Sequence, residues 1–133
     1  MSRRHYLDAE NFLVCAFSGP VDDAELMAHM ESLIADERLR PGYRELADCR
    51  GISTPIGITG EGLRNVARRE TASTLPKGGR LALVMDQDVT YGLGRMFSVF
   101  AEENRSEIRV FSALPEACAW LGVDPDLVLK HLD

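Results

Sequence analysis

The sequence has few cysteines and lysines and no long apolar run. It contains three cysteines in 133 residues, with no C-x-x-C pair, so neither disulfide bridges nor a cysteine-based zinc motif is predicted. The longest apolar run, residues 12–17, is too short to cross a bilayer. The first residues include arginines but lack the apolar stretch of a signal peptide. These absences predict a cytoplasmic protein without a transmembrane segment.

A surplus of positive charge is also missing. The chain has 21 acidic and 15 basic residues and a net charge of −6, which argues against a nucleic-acid-binding protein. The histidines, His5, His29 and His131, share no recognised spacing with another ligand, so no metal or cofactor is predicted. With 45% hydrophobic residues, the chain is expected to fold as one domain over residues 1–133.

Strand-like and helix-like patterns alternate along the chain. The predicted strands lie at residues 4–8, 12–18, 43–49, 81–85 and 107–111. Predicted helices start after Asp22 and Thr59, at the cap Asp88, and at Pro115 and Pro125, with a loop at residues 50–57. This alternation predicts an α/β domain with a mixed, mostly parallel sheet of about five strands, an antiparallel N-terminal hairpin and about four helices.

The third predicted helix has the clearest apolar period. Its stripe is assigned to the core and consists of Val89, Leu93, Met96, Phe97 and Phe100. Tyr91 and Arg95 then project outward, a pairing favoured at protein interfaces. Gly92 and Gly94 would let another backbone approach the helix closely. Alternatively, Tyr91 folds over the preceding loop.

Polar residues follow several predicted strands, where parallel sheets commonly place functional groups. Asp48 lies at the end of the third predicted strand and Arg50 directly after it, and acidic residues at 22, 23, 86 and 88 follow other strands. A magnesium-binding carboxylate cluster is disfavoured because turns and helix caps explain the acidic residues at 22, 23, 86 and 88. The glycine-rich segment at residues 57–62 could bind an anion at a helix N-terminus or could be a flexible entry turn. No catalytic constellation is recognised, so no enzyme is predicted.

Several segments together resemble the SpoIIAA-like, STAS-related bacterial proteins. They are residues 17–20 (Phe-Ser-Gly-Pro), 48–51 (Asp-Cys-Arg-Gly), 91–97 (Tyr-Gly-Leu-Gly-Arg-Met-Phe), and the closing Val110-Phe111 to Ala119-Trp120-Leu121-Gly122. The resemblance covers about residues 4–122 and leaves residues 123–133 as a C-terminal helical extension. It implies a mixed sheet with helices wound as a βα superhelix. It also implies that relatives work by binding other proteins.

One departure from that family concerns its regulatory serine. Anti-sigma-factor antagonists carry Asp-Ser-Ser-Gly-Leu at a helix entry, and the matching segment here is residues 59–63. Gly60 and Glu61 occupy the serine positions, so the resemblance implies that the phosphoserine switch is not intact. Glu61 would instead provide a permanent negative charge at a helix N-terminus.

The expected function is a non-enzymatic, cytoplasmic interaction or regulatory module that binds another protein or a second copy of itself, forming a homodimer. The predicted surface combines the loop at residues 48–61 with the helix face near Tyr91. Its candidate partner or anion contacts are Asp48, Arg50, Thr59, Glu61, Tyr91 and Arg95. The alternative is a carrier or sensor of a small apolar ligand or lipid, as in the Sec14-like relatives of the wider fold class.

Overall fold

The computed structural model describes residues 1–132, in which five strands form one sheet with five α-helices against it. The strands are β1 (Ser2–Leu7), β2 (Phe12–Pro20), β3 (Arg44–Thr54), β4 (Arg80–Val84) and β5 (Glu107–Phe111). The helices are α1 (Asp23–Ile34), α2 (Gly60–Ala72), α3 (Asp88–Phe100), α4 (Leu114–Leu121) and α5 (Pro125–Leu132). A single 3-10 turn, Asp8–Glu10, joins β1 to β2.

The strands lie in the sheet in the same order as in the chain, β1-β2-β3-β4-β5. β1 pairs with β2 antiparallel, and the other neighbours are parallel. Helices α1, α2 and α3 connect the parallel strands and pack on one face, while α4 and α5 cover the other. The predicted α/β fold with an antiparallel edge is confirmed. No helix in residues 1–132 has the length and apolarity needed to cross a membrane.

Strand alternation divides the core between the two faces of the sheet. Leu13 and Cys15 of β2 face α1–α3, whereas Phe12 and Val14 face α4 and α5. Both sets are buried, which explains why β2 is a continuous apolar run and does not alternate with polar residues.

Side-chain caps start two of the helices as predicted. The Oδ1 of Asp22 accepts a hydrogen bond from the Glu25 backbone N–H at 2.9 Å, and Thr59 Oγ1 accepts one from Gly62 at 2.9 Å. The predicted cap at Asp88 is wrong, because α3 begins at Asp88 and follows Gln87, whose side chain forms no capping bond.

The predicted loop at residues 50–57 is wrong in its first half, since β3 continues to Thr54. β2 also extends to Pro20, and register shifts after Ala16 and Gly19 keep the two strands paired. The strands approach closely at Gly51, where an added Cβ would lie 2.5 Å from the Phe17 carbonyl oxygen. The irregular register and this close approach explain why an alternation-based prediction ended the strand too early.

The predicted inward stripe of α3 is wrong in two places. Val89 is 63% exposed and Met96 is 40% exposed. The inward positions, which are buried or line an apolar crevice, are Thr90, Leu93, Gly94, Phe97 and Ala101. A Cβ on Gly94 would lie 2.6 Å from the Met85 sulfur, so this small residue brings α3 close to the end of β4. Helix α3 is therefore rotated about its axis so that part of its most apolar stripe faces solvent.

Candidate functional site

Asp48 and Arg50, predicted as partner contacts, both lie on β3 and bind each other. Arg50 Nε donates to Asp48 Oδ1 at 2.9 Å, and Arg50 Nη2 donates to Asp48 Oδ2 at 2.9 Å. The paired Asp48 carboxylate raises the pKa of Arg50, so the guanidinium stays charged. This bidentate pair satisfies the acceptors of Asp48 within the chain itself.

The glycine-rich entry to α2 is filled by a carboxylate from α1. Asp23 accepts hydrogen bonds from the Thr59 backbone N–H at 2.9 Å and from Thr59 Oγ1 at 2.6 Å. A Cβ on Gly62 would lie 2.0 Å from Asp23 Oδ1, so only glycine leaves room for this carboxylate. The Asp23 carboxylate thus occupies the N-terminus of α2, which the sequence suggested as a binding site for an external anion. Glu61, on the first turn of α2, is exposed.

The outer face of α3 carries the next two predicted residues, of which Tyr91 is half-buried and Arg95 is exposed. The same helix exposes a row of small and apolar residues at the spacing of coiled-coil core positions, two of which, Val89 and Met96, were predicted to face the core. We call this row the α3 strip; it consists of Val89, Gly92, Met96 and Val99. A Cβ on Gly92 would meet nothing within 4 Å, so the strip is open at its centre.

A groove of about 530 Å³ runs beside the strip between α2 and α3. This α2–α3 groove is lined by Gly60, Glu61, Arg64, Asn65, Arg68, Met96 and Phe100. The guanidinium of Arg64 lies 4.8 Å from the centre of the Phe100 ring, which keeps its charge at the groove. The groove contains Arg64, Arg68 and one acidic residue, Glu61, and Arg95 is exposed on the same helix as Met96. Arginines therefore outnumber acidic residues on this surface, on a chain whose net charge is −6.

An apolar crevice lies where β3 and β4 end, between α2 and α3. Its volume is about 80 Å³, and its lining includes Ile52, Leu63, Met85 and Leu93. A second cavity of about 80 Å³ lies deeper under α1 and shares Leu26, Leu83 and Phe97 with the first. Its lining also includes His29, Glu45 and Arg105, so this cavity has one polar wall.

Arg105 forms the centre of a buried polar network. Its side chain is 2% exposed; Nη2 donates to Glu45 Oε1 at 2.9 Å, and Nε donates to Glu70 Oε2 at 3.1 Å. Burial by itself lowers the pKa of Arg105, but the two carboxylates outweigh it and raise the pKa above its usual value. Asn104 also donates to Glu70 Oε1 at 3.3 Å. The buried pairs carry two negative charges and one positive charge.

Cys15 and His29 lie beside Glu45 in this network. The ligand atoms of the three residues lie within 4.8 Å of one another, and all three residues are buried. Cys15 Sγ donates to Glu45 Oε2 at 3.4 Å. Burial raises the pKa of Cys15 and lowers the pKa of His29. Cys15 is therefore a thiol and His29 a neutral imidazole. His29 has no recognised sequence spacing to another ligand, but the packing of α1 on the sheet brings it close to Cys15 and Glu45.

Comparison with solved structures identifies the fold class. The chain is similar to an uncharacterized protein of the DUF3478 family with a SpoIIAA-like fold, from Shewanella loihica PV-4. The two share 16% identity, with 91% of this chain and 92% of that one covered and a TM-score of 0.53. No family model and no curated protein sequence matches the chain. The fold is SpoIIAA-like, as the resemblance implied.

Proposed function

We propose that this chain is a non-enzymatic, cytoplasmic interaction module that binds an acidic amphipathic segment of another protein. The observation that carries the proposal is the exposed α3 strip beside the basic α2–α3 groove. Apolar side chains at this spacing match the buried face of a bound helix. A contiguous apolar surface rimmed by polar residues is typical of an interaction site.

The charge around the strip favours an acidic partner over a second copy. Arg64, Arg68 and Arg95 are the basic residues of this surface, and none forms an ion pair within 4 Å with another of the residues described, 1–132. In a symmetric dimer across the groove the same arginines would face one another, which costs binding energy. Acidic side chains flanking an apolar stripe would instead pair with them. The homodimer is therefore an outcome that the experiment must distinguish.

The proposed module works without a phosphoserine switch. Gly60 and Glu61 stand at the serine positions of the family, and the Thr59 hydroxyl already donates to Asp23 and caps α2. Phosphate on Thr59 would place added negative charge directly against the Asp23 carboxylate. We expect protein recovered from its native host to carry no stoichiometric phosphate at Ser53, Thr54 or Thr59.

The test is site-specific photo-crosslinking in the native host. A photoreactive residue at Met96 is expected to capture a partner through an acidic amphipathic segment. The control position is Leu129, an exposed apolar residue on α5, where that capture is expected to fail. Arg64→Glu with Arg68→Glu should abolish capture at Met96, whereas Arg109→Glu, an exposed arginine of β5, should not. Equal capture at both positions would contradict the proposal, and crosslinks only to the same chain would replace it with a homodimer.

The two apolar cavities support the alternative, a sensor of a small apolar ligand. Each holds about 80 Å³, less than the roughly 150 Å³ cavity that accommodates benzene. A lipid would therefore require α3 to move away from the sheet. Native mass spectrometry of freshly purified protein tests this alternative, which requires a co-purifying ligand; protein of the bare chain mass counts against it.

A further inference from the structure

We propose that Cys15, His29 and Glu45 form a binding site for one zinc ion in the core beneath α1. The three residues come from β2, α1 and β3, and the fold brings their ligand atoms within 4.8 Å of one another. A thiolate, an imidazole and a carboxylate are each established zinc ligands. The thiolate disfavours magnesium and calcium, which bind to oxygen ligands.

The orientation of the Glu45 carboxylate fits this role. Its Oε1 accepts a hydrogen bond from Arg105, while its Oε2 faces Cys15 Sγ at 3.4 Å. One oxygen is thus fixed by a buried guanidinium, and the other is directed at a second ligand. Outer hydrogen bonds that hold a ligating carboxylate in this way are a regular feature of metal sites.

Charge balance gives an independent reason for a divalent cation. In the buried ion pairs the carboxylates of Glu45 and Glu70 share the single guanidinium of Arg105, and buried charge without full compensation is costly. A zinc ion displaces the proton of the Cys15 thiol, and that proton leaves to solvent. Three negative groups, namely the thiolate and two carboxylates, then face the guanidinium and a dication, so the cluster becomes neutral.

Room for a fourth ligand lies next to two of the three residues, His29 and Glu45. The deeper cavity of about 80 Å³ is lined by His29, Glu45 and Arg105, and a volume of this size accommodates a water molecule. Arg105 Nη1 is buried without a hydrogen-bond partner among the described residues. A water in this cavity could complete the tetrahedral set that zinc prefers.

Cobalt(II) is the probe for this site, because a cobalt–thiolate bond gives a characteristic charge-transfer absorption. Because the ligands are buried, the protein is unfolded in denaturant with a chelator present, freed of the chelator, and refolded with Co²⁺. We expect one Co²⁺ per chain with the thiolate band. Cys15→Ala should lower the affinity more than about 100-fold, beyond the loss typical of outer-shell variants. Cys49→Ala removes another buried thiol, on β3, and should leave the band unchanged.

X-ray absorption of the zinc form of the unmodified protein provides a second readout, which does not require the variants to fold. One sulfur and a remainder of nitrogen and oxygen ligands is the expected shell. A shell without sulfur would place the ion elsewhere and overturn the proposal. The proposal also fails if the refolded chain shows no thiolate band at saturating Co²⁺, or if Cys49→Ala removes the band and Cys15→Ala retains it.

Discussion

The two faces of the sheet are built on different principles. The core of the face covered by α4 and α5 consists of apolar side chains: Phe12, Val14, Leu46, Ala82, Val84, Leu114, Ala117, Cys118, Leu121 and Val128. The face covered by α1–α3 holds the buried Arg105 network and both apolar cavities. Since the buried ion pairs and the two apolar cavities lie on the α1–α3 face, we assign the zinc site to that face and assign the α4–α5 face to stability.

The largest expected effect is on the α1–α3 face. Arg105→Ala leaves the Glu45 and Glu70 carboxylates buried without their partner, which should lower the free energy of unfolding by about 3–5 kcal/mol. Urea unfolding of chelator-treated protein measures this change. Arg109→Ala is the control, since its ion pair with Glu107 is exposed and should contribute at most about 1 kcal/mol. Equal losses in the two variants would contradict this account.

On the α4–α5 face, we expect the stability of the fold to depend on side-chain volume. Ala117 is fully buried on the inner face of α4, so Ala117→Leu should cost about 1–3 kcal/mol by overpacking. Ala119 lies on the same helix but is exposed, and Ala119→Leu should change stability by less than about 0.5 kcal/mol. Thermal unfolding of both variants tests the difference. A stable Ala117→Leu protein would show that this face is less tightly packed than the structure indicates.

Acid should lower the free energy of unfolding by protonating Asp36, which follows α1 in the chain. Hydrogen bonds from Arg38 lower the pKa of this carboxyl to about 2, and its side chain is 4% exposed. The ionised form is favoured in the folded state, so the contribution of roughly 1–2 kcal/mol is present above about pH 4 and is lost toward pH 2. Urea midpoints across this range measure the loss, and Asp36→Asn should remove this part of the slope. An unchanged slope in that variant would exclude Asp36 as its source.

The smallest expected effect separates stability from binding on α3. Gly92→Ala should stabilise the protein by about 0.5–1 kcal/mol, because the position is helical, exposed and open. The added methyl group should also weaken capture of the partner at Met96 if a helix seats on the α3 strip. Gly94→Ala is the matched comparison: its methyl group would lie 2.6 Å from the Met85 sulfur, so the Met85 side chain must move and the gain should be smaller than for Gly92→Ala. Chemical denaturation followed by the crosslinking assay measures both properties on the same samples.

Helix and strand boundaries could be predicted well where they depend on residues that are neighbours in the sequence. The caps at Asp22 and Thr59 and the end of α4 at Gly122, with φ of 73°, could be predicted from neighbouring residues alone. The phase of α3 could not, because it depends on the contact between Gly94 and Met85 of the preceding strand end. The correct rotation exposes Met96, and that exposure is what defines the proposed surface.

The candidate sites were harder to predict for the same reason. Cys15, His29 and Glu45 lie on three elements, and only the parallel pairing of β2 with β3 and the packing of α1 bring them together. One signal was present in the sequence: Glu45 occupies an inward position of a buried strand, where a charge requires a partner. The partner, Arg105, is far away in the chain and could not be identified without the fold.

The order of the strands also affects how the chain assembles during synthesis. Each strand pairs with the one made just before it, so the sheet can grow one βα unit at a time as the chain leaves the ribosome. The α4–α5 face is covered last, because α4 and α5 follow β5 in the chain. Val128 of α5 then packs in the cluster that contains Phe12 and Val14 of β2. Until that step, a growing sheet presents apolar side chains to the surrounding solution, and chaperones would have their greatest access to the nascent protein.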